Sequence, residues 1–433
     1  MRFDLGPMVD LLRSLGDPHR VTPIVLIGGT NGKGTVAALL AGILAAAGYR
    51  CGLYTSPHLE EVRERIRIDG ESVSDQELED ALREILRSTT LRPTHFEALT
   101  AAAHLIFSRS SLDLAVLEVG LGGRLDATNV SDPLLSIVTS VSPDHVRILG
   151  STLGEIAGEK AGIFRTGVPA LADGTDPEVR RALRRKAADR GVPLELVELP
   201  DAPEPAREES GNPTGERREM RQLLGGPGSD LSDRFHPMNL ALAIRSAEVL
   251  AEIGWSRVDA SAVAIGLTST RWPGRLESVR ISDVDLLLDC AHNRDAARRL
   301  AGWIRGRQPA PLGLLFGTVS DKAVSDMLRP LLPLTDRLYL TRPLGTPRAL
   351  PPGAVRETVS SLDFDGVVAE GELPEILDRA LVRESSLVVA GSLRLVGPVR
   401  VLLRSRFGRP EPAADRLFDR EIPAREGPSR ATP

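Results

Sequence analysis

Residues Thr30 to Thr35, with the sequence TNGKGT, combine glycines, a lysine and hydroxyl side chains in a pattern suited to phosphate binding. Successive backbone amides in such a turn, followed by a helix N-terminus, form a concave surface for anionic oxygens. Lys33 supplies a point charge and Thr35 a hydroxyl for Mg²⁺. The common phosphate loop opens with glycine and has Ser or Thr directly after its lysine, but Ile27 and Gly34 hold those places here. The sequence therefore predicts phosphate binding with altered spacing.

Three further side chains of the ligand type follow apolar runs: Ser56 in YTSPH, Glu118 in LAVLEVG and His145 in SPDHV. A carboxylate at the end of a buried strand is costly unless it binds a cation. Ligands of open α/β sheets bind at the carboxyl ends of the strands. We therefore expect these three residues to hold a metal ion beside the phosphate. The alternative for the histidine is a structural role.

Lysine is rare in this chain, and almost all of the basic charge is arginine. The lysines are Lys33, Lys160, Lys186 and Lys322. A lysine kept in such a chain favours a role that needs a compact ammonium or an amine able to lose its proton. Lys160 lies in the helical stretch GEIAGEKAGIF, where the alternative is a salt bridge to a neighbouring glutamate. We expect a chemical role for this amine.

Other glycine-rich or strand-ending segments carry polar side chains. The run GLGGRLDATN places Arg124 and Asp126 beside a close backbone approach, although a tight turn also explains its glycines. Later in the chain, Arg275 lies within the linker WPGRLE, and two apolar runs are followed by Asp289, His292, Asn293, Asp321 and Lys322. Singly, each of these is explained as a helix cap or a surface charge. Together they suggest a second set of nucleotide contacts.

The elements that must position these residues alternate between short apolar runs and helical patterns. Runs such as VTPIVLIGG, LDLAVLEVG and LLSIVTSVS are separated by helical stretches, which predicts a parallel sheet covered on both faces. A smaller series starts at DVDLLLDCAHN, and the preceding TRWPGRLESVR is expected to lack regular structure because of its proline and glycine. We place the domains at 1–275 and 276–408, with a surface loop at 201–230 and a tail at 409–433.

Composition limits the class of protein. The 433 residues are 42% apolar and 26% charged, which is typical of soluble globular proteins. A net charge of −5 with three Trp and three Tyr disfavours a nucleic-acid partner. No apolar run reaches the ~18 residues of a membrane span, and no signal peptide is recognised, so we expect a cytoplasmic protein without membrane contact. Cys51 and Cys290 are too few for a disulfide framework or a zinc cluster.

Taken in order, the motifs GGTNGKGT, LYTSPHL, HFEALT, EVGLGGRLDATN, GEKAGIF, HPMNLALA, WPGRLE and DCAHN resemble the folate branch of the Mur ligase family, the folylpolyglutamate and dihydrofolate synthases. The resemblance covers nearly the whole chain. It implies an α/β protein with a P-loop-type parallel-sheet ATP-binding domain and a smaller Rossmann-like C-terminal glutamate ligase domain. The implied reaction joins L-glutamate to dihydropteroate, and adds γ-linked glutamates to tetrahydrofolates, through an acyl phosphate formed from ATP.

The matching motifs also imply roles for individual residues. ATP would contact Gly32, Lys33, Gly34, Thr35, Asn239, Arg275, Asp289 and His292, and Mg²⁺, as two ions, would be held by Ser56, Glu118 and His145. The pterin substrate would contact Asp4, Leu5, Gly6, Pro7, Thr94, His95, Phe96, Glu97, Leu125, Asp126 and Ala127. Lys160 stands where the family carries a carbamylated lysine, and with Lys33, Glu118 and His145 it forms the implied catalytic set. K⁺ is a further implied cation, and a monomer the implied state.

The sequence departs from the family's usual pattern at three places, one of which is Gly28, where the family commonly has alanine. SVSPDH replaces a stretch that usually ends in Leu-Asp-His, and AHNR replaces Ala-His-Asn-Pro. The change in SVSPDH lies beside His145, so the range of substrates is less fixed than the use of ATP. Two alternatives stay open: a Mur-type ligase with another carboxylate acceptor, such as a peptidoglycan precursor, and a nucleotide-dependent switch that performs no ligation.

Overall fold

The computed structural model describes residues 4–90, 92–199, 230–307 and 312–408. Within them the chain forms two compact units that divide between Arg271 and Trp272. The boundary placed from the sequence, after residue 275, falls slightly further along the chain. The predicted surface loop 201–230 lies outside the described residues except for Asp230, which begins a helix, and the predicted tail 409–433 lies wholly outside them.

The first unit is built around a mixed sheet. Its strands are β1 (Ile24–Gly28), β2 (Cys51–Tyr54), β3 (Ile66–Ile68), β4 (Glu71–Ser72), β5 (Leu114–Glu118), β6 (Pro133–Val138), β7 (Ala170–Asp173) and β8 (Leu194–Val197). They lie in the order β4-β3-β2-β5-β1-β6-β7-β8. Pairing is parallel throughout except that β3 runs antiparallel to both of its neighbours.

Helices surround this sheet. They are α1 (Gly6–Ser14), α2 (Lys33–Ala46), α3 (Asp75–Ser88), α4 (His95–Arg109), α5 (Val146–Leu149), α6 (Leu153–Lys160), α7 (Pro177–Arg190), α8 (Asp230–Arg234), α9 (Pro237–Glu252) and α10 (Ala260–Ser269). Helix α2 is apolar on nearly every face because it packs against β1, β2 and β5 on one side and against α9 and α10 on the other. Such enclosure fixes the start of α2, where the phosphate loop ends.

The second unit has a smaller sheet of the same kind. Its elements are β9 (Glu277–Ile281), β10 (Val284–Leu288), α11 (Arg294–Arg305), β11 (Leu312–Phe316), α12 (Val324–Leu328), β12 (Thr335–Leu340), α13 (Pro352–Ser360), β13 (Val367–Glu370), α14 (Leu373–Arg383), β14 (Ser386–Ala390) and α15 (Leu393–Phe407). The strand order is β13-β12-β11-β14-β10-β9. Only β9 is antiparallel to its neighbour within the described part of this sheet.

The predicted parallel sheets are present, and two hairpins add antiparallel strands at their edges. The turn Asp69–Gly70 joins β3 to β4 with positive φ at both residues, the conformation for which Asp-Gly is favoured. The segment TRWPGRLESVR was expected to lack regular structure, but its residues from Glu277 onward form β9. That strand exists because it pairs with β10, a tertiary effect that its proline and glycine do not reveal.

None of the helices in the described ranges combines the length and apolar character that crossing a membrane requires.

Candidate functional site

The predicted phosphate loop joins β1 to α2 at the carboxyl edge of the first sheet. Gly32 immediately precedes the helix with φ of 88°, and Asn31 forms an isolated bridge with Ser140, beyond the end of β6. Thr30 donates its backbone N–H to the Ser140 carbonyl at 2.7 Å. The Thr139 hydroxyl donates to the Asn31 carbonyl at 2.8 Å. These bonds fix the loop, so the amides of the first turn of α2 are preorganised for an anion.

The side chain of Asn239, at the start of α9, lies directly against this loop. A Cβ atom added at Gly32 would come within 2.3 Å of the Asn239 Oδ1 atom. A side chain at position 32 is therefore excluded by contact as well as by backbone conformation. The resemblance implies that both residues contact ATP, and the structure brings them together although they are far apart in the chain.

Lys33 begins α2, and its ammonium lies over the loop. Its Nζ donates to the Thr30 carbonyl at 3.2 Å. Thr35, two residues further along, is 5% exposed. The loop thus offers a positive charge and a buried hydroxyl next to its backbone amides, the set of groups that a triphosphate with a divalent cation requires.

Glu118 is the last residue of β5, the strand that pairs with β1. Its carboxylate is held by Ser56, in the segment that follows β2. Ile27 of β1 is the partner of Glu118 in the parallel register. The Glu118 Oε2 atom accepts the backbone N–H of Ser56 at 2.9 Å, and the residue is 5% exposed. The carboxylate is therefore oriented at the strand end beside the loop. Its oxygens, with the hydroxyls of Ser56 and Thr35, are hard donors that fit Mg²⁺.

His145 follows β6 on the other side of the phosphate loop. Its backbone is left-handed, with φ of 50°, and its side chain is 40% exposed. The ring Nε2 atom lies 3.9 Å from Asp144 Oδ1. No cluster of three or more His, Cys, Asp or Glu side chains in the described ranges is arranged as a metal site. The structure thus joins Ser56 to Glu118 and places His145 beyond the end of β6, which is separated from β5 by β1.

Lys160, the last residue of α6, is buried beneath the phosphate loop. It is 3% exposed, and its Nζ donates to the Gly29 carbonyl at 2.6 Å. Burial, and secondarily the positive charge of Lys33, lower the pKa of Lys160 to about 7, against the opposing effect of Asp144 and Asp126. The neutral amine is therefore populated at neutral pH, which is rare for lysine.

The glycine-rich run after β5 holds the end of α6 in place. Arg124 donates its backbone N–H to the Glu159 carbonyl, and its Nε to the Glu159 carboxylate, both at 3.0 Å. Asn129 Nδ2 donates to the Arg124 and Gly162 carbonyls. Asp126 accepts from Thr128 and from the Leu121 amide, and burial raises its pKa. The polar groups of this run thus position Lys160 through the backbone.

The three segments expected to contact the pterin substrate are distant in sequence. Helix α1, which follows Asp4, packs against α4 and against the 3₁₀ helix Ala127–Val130. Phe96 lies where a Cβ added at Gly120 would touch its ring at 2.5 Å. Thr94 and Glu97 form a reciprocal capping box at the start of α4. The structure thus gives Glu97 a structural partner and brings the elements that carry these segments into contact.

Sequence reasoning missed Arg65, which is 7% exposed and lies near the carboxyl end of β2. Its Nε donates to His58 Nδ1 at 3.1 Å, and its carbonyl accepts the Thr55 amide. The pKa of His95, at the start of α4, is lowered mainly by burial and secondarily by the positive charge of Arg65. The available signal was the run RIRI at residues 65–68, in which arginine alternates with isoleucine as in a strand.

In the second unit, Arg275 and Asp289 come together at the end of β10. Asp289 accepts the backbone amides of Leu276 at 2.9 Å and Ala291 at 2.8 Å. Burial raises the pKa of Asp289, and the nearby Arg275 guanidinium opposes that rise. Of the other residues predicted here, His292 contacts the Cys290 carbonyl at 3.0 Å through Nδ1. Asn293, Asp321 and Lys322 follow the ends of β10 and β11, and Asn293 caps α11.

Two family models match the chain. The Mur ligase middle domain matches residues 27–192, and the Mur ligase glutamate ligase domain matches residues 274–393. These ranges contain the phosphate loop and Lys160 in the first unit, and Arg275 and Asp289 in the second. With the two α/β units, they define a Mur-type ligase, an ATP-dependent enzyme.

Individual proteins that are similar to this chain indicate a particular branch of the Mur ligases. The dihydrofolate synthase/folylpolyglutamate synthase of Bacillus subtilis (strain 168) is 35% identical over 339 residues, 76% of this chain and 78% of that protein. The structure of E. coli FolC in complex with DHPP and ADP aligns with a TM-score of 0.77 at 27% identity, over 94% of each chain. A bifunctional folylpolyglutamate synthase/dihydrofolate synthase with Mn, AMPPNP and L-glutamate bound aligns at 0.77 and 29% identity, over 93% of this chain and 95% of that one.

The chain belongs to the folylpolyglutamate synthase/dihydrofolate synthase family of Mur ligases. The resemblance inferred from its motifs, and the two-domain ligase architecture inferred with it, are confirmed.

Proposed function

We propose that this enzyme joins L-glutamate to dihydropteroate and also adds γ-linked glutamates to tetrahydrofolates. The two-activity name of the Bacillus subtilis relative supports both acceptors. The DHPP and ADP of the E. coli structure, and the Mn, AMPPNP and L-glutamate of the bifunctional enzyme, are the kinds of ligand that such a reaction requires. ATP and a divalent cation, Mg²⁺ in the cell, are therefore the cofactors that we assign to this chain.

One observation carries the proposal: the buried amine of Lys160 bonds to the phosphate loop at Gly29. A phosphate loop alone also occurs in nucleotide-dependent switches, so the loop does not decide between a switch and a ligase. A buried amine with its pKa near 7 beside that loop favours the ligase, because a switch has no evident use for it.

The first step forms an acyl phosphate. A carboxylate oxygen of the acceptor attacks the γ-phosphorus of ATP and the bond to the β-phosphate oxygen breaks, which leaves ADP. Phosphoryl transfer depends on positioning and on charge neutralisation. In this chain the backbone amides in the first turn of α2 would donate hydrogen bonds to the phosphate oxygens, and the ammonium of Lys33 would stabilise their negative charge. Mg²⁺, held by Ser56, Glu118 and His145 with Thr35 nearby, would neutralise the charge that develops between the β- and γ-phosphates.

The second step forms the amide. The uncharged amino group of L-glutamate attacks the acyl carbon, the bond to phosphate breaks, and the amine loses a proton. Phosphate leaves as Pi. Water must be excluded while the acyl phosphate exists, because hydrolysis would waste ATP.

Lys160 would act as a carbamate. Its neutral amine attacks CO₂, a nitrogen–carbon bond forms, and one proton is released, which a guanidinium cannot do. The modification replaces a cation by an anion beneath the loop. The lowered pKa supports this step because the amine need not first lose a proton at a large energetic cost.

The remaining assignments are part of the same proposal. The acceptor would contact residues 4–7, 94–97 and 125–127, ATP would also contact Asn239, Arg275, Asp289 and His292, and the enzyme would use two Mg²⁺ ions with K⁺ as a further cation. We propose a cytoplasmic monomer with domains at 1–275 and 276–408.

The test is ADP release by the purified enzyme with dihydropteroate or a tetrahydrofolate, each with and without L-glutamate. We expect release with either acceptor and a strict requirement for glutamate. Release with neither acceptor would support another carboxylate substrate. Hydrolysis of ATP that is equally fast without glutamate would support the nucleotide-dependent switch instead.

A further inference from the structure

A buried ion pair in the second unit has no part in the reaction described above. Arg400 of α15 is fully buried, at 0% exposure, and its Nη1 atom pairs with Glu277 Oε1. Glu277, the first residue of β9, has a side chain that is 13% exposed. Its second oxygen, Oε2, accepts the backbone N–H of Gly274 at 2.7 Å. The pair therefore reaches from α15 to the turn that precedes β9.

That turn, residues 274–277, is held at several further points. The Gly274 carbonyl accepts the Cys290 amide at 2.9 Å, and the Leu276 amide donates to Asp289 Oδ2 at 2.9 Å. Leu276 has φ of 47°, a left-handed conformation that branched L residues seldom adopt. Such a conformation persists only where its surroundings determine it. Glu277 and Asp289 thus hold the turn from its two ends.

Arg275 lies in the middle of this turn. Its Nη1 donates to the Gly274 carbonyl at 3.1 Å, and its charge acts on Asp289. The direction in which its guanidinium extends therefore depends on the backbone from Gly274 to Glu277. A displaced turn would move the charge even if Arg275 itself were unchanged.

A buried ion pair is a poor source of stability, because desolvation of both charges offsets most of their attraction, and an apolar pair of similar volume does as well. Such a pair instead fixes the orientation of its two side chains, because the hydrogen bonds between a guanidinium and a carboxylate have a defined geometry. An ion pair joined to the backbone next to Arg275 is therefore suited to holding that backbone in one position.

We propose that Arg400 and Glu277 are positioning residues for nucleotide binding. They fix the turn 274–277 so that Arg275 presents its guanidinium to the nucleotide phosphates. The inference rests on the proposed function, in which Arg275 contacts ATP. Neither Arg400 nor Glu277 touches the nucleotide in this account.

The test is calorimetric titration of ADP with Mg²⁺ into the full-length enzyme and its Arg275→Ala, Arg400→Met and double Arg275→Ala/Arg400→Met variants. We expect each single change to weaken ADP binding about tenfold, as for a lost contact to a charged group. The double variant should bind no more weakly than Arg275→Ala, because Arg400 acts through Arg275. Arg406→Met, which removes the ion pair of the same helix with Asp378, should bind as the wild type does.

Two results would overturn the inference while the ATP contact stands: Arg275→Ala binds weakly and Arg400→Met binds normally, or the two losses add in the double variant. Normal binding by Arg275→Ala would instead remove the assigned ATP contact and the inference with it.

A variant that carries no buried charge distinguishes a role in positioning the turn 274–277 from a role in stabilising the fold. Arg400→Met with Glu277→Gln keeps an acceptor for Gly274 and leaves no buried charge unpaired. We expect its thermal unfolding midpoint to recover towards the wild-type value while ADP binding stays about tenfold weaker. Recovery of both together would show that the pair contributes stability alone.

Discussion

Lys160 Nζ donates a 2.6 Å hydrogen bond to the carbonyl of Gly29, so the end of α6 is fastened to the first residue of the phosphate loop. The two residues are 131 positions apart in the chain. Because the amine is also 3% exposed, any change in its charge acts directly on the loop where the nucleotide phosphates are expected. Substitutions at Lys160 should therefore affect phosphoryl transfer more than folding.

Replacement of Lys160 by alanine is expected to lower the rate of ADP release at least ~100-fold, since it removes both the bond to Gly29 and the group that forms a carbamate. Acetate, a small carboxylate, should restore part of the rate if a carbamate is what is missing. Lys186→Ala, on α7, is the matched control and should retain activity. Full activity of Lys160→Ala would remove the carbamate hypothesis.

Gly32→Ala is expected to abolish detectable nucleotide binding, because the added methyl would meet Asn239 Oδ1 at 2.3 Å and the backbone has φ of 88°. Gly16→Ala isolates the conformational part of this effect, since Gly16 has φ of 82° and open space around the new methyl group. It should lose about 1 kcal/mol of stability and keep its affinity for ADP. Equal affinities in both variants would show that the contact with Asn239 does not matter.

Glu118→Gln tests the assigned metal site. The amide oxygen can still accept the Ser56 N–H, so the free energy of unfolding should change by less than about 1 kcal/mol. Loss of the negative charge should raise the Mg²⁺ concentration needed for half-maximal ADP release at least about tenfold. The wild-type enzyme should lose activity in EDTA and regain it with Mg²⁺. An unchanged Mg²⁺ requirement in the variant would contradict the assignment.

The buried pair His19 and His104 is expected to make the fold sensitive to acid. Burial, and then the charge of His19, lower the pKa of His104 to about 3, and burial also lowers the pKa of His19. In the unfolded chain the imidazole of His104 binds a proton near pH 6.5, whereas in the folded protein it binds one only near pH 3. Its contribution to stability is therefore complete above pH 6.5 and declines as the pH falls towards 3, by up to about 1.4 kcal/mol per pH unit.

Urea unfolding between pH 7 and pH 4.5 measures this effect. The His104→Phe variant, which has no proton to gain at this position, should lose less stability over that range than the wild type. Parallel curves for the two proteins would show that His104 does not carry the acid sensitivity.

Much of the fold could be predicted because it follows from local patterns. The buried strands β1, β5 and β6 appear as apolar runs, and helices such as α3 are preceded by an N-cap residue, Ser74, in a recognisable capping box. Strand β9 could not be predicted, because its pairing with β10 is a tertiary effect. The β3–β4 hairpin was predictable from Asp69–Gly70 between alternating residues, and it was overlooked.

The candidate site divides in the same way. Loop residues such as Lys33 and Thr35 are recognisable in the sequence from their spacing relative to the glycines. Strand-end residues such as Glu118 are recognisable because an acid follows an apolar run. The partnership of Arg65 with His58, and that of Arg400 with Glu277, depend on contacts between residues that no sequence pattern links. Burial of an arginine is invisible in a chain that uses arginine everywhere on its surface.

The central claim is that this enzyme activates a carboxylate as an acyl phosphate and transfers it to L-glutamate. The most direct measurement uses dihydropteroate whose carboxylate carries oxygen-18, incubated with ATP, Mg²⁺ and L-glutamate, followed by mass spectrometry of the folate product and of the phosphate released. The account predicts a product heavier by one glutamyl residue and one oxygen-18 atom in the phosphate. Phosphate without the label, or ADP formed with no glutamylated product, would contradict it.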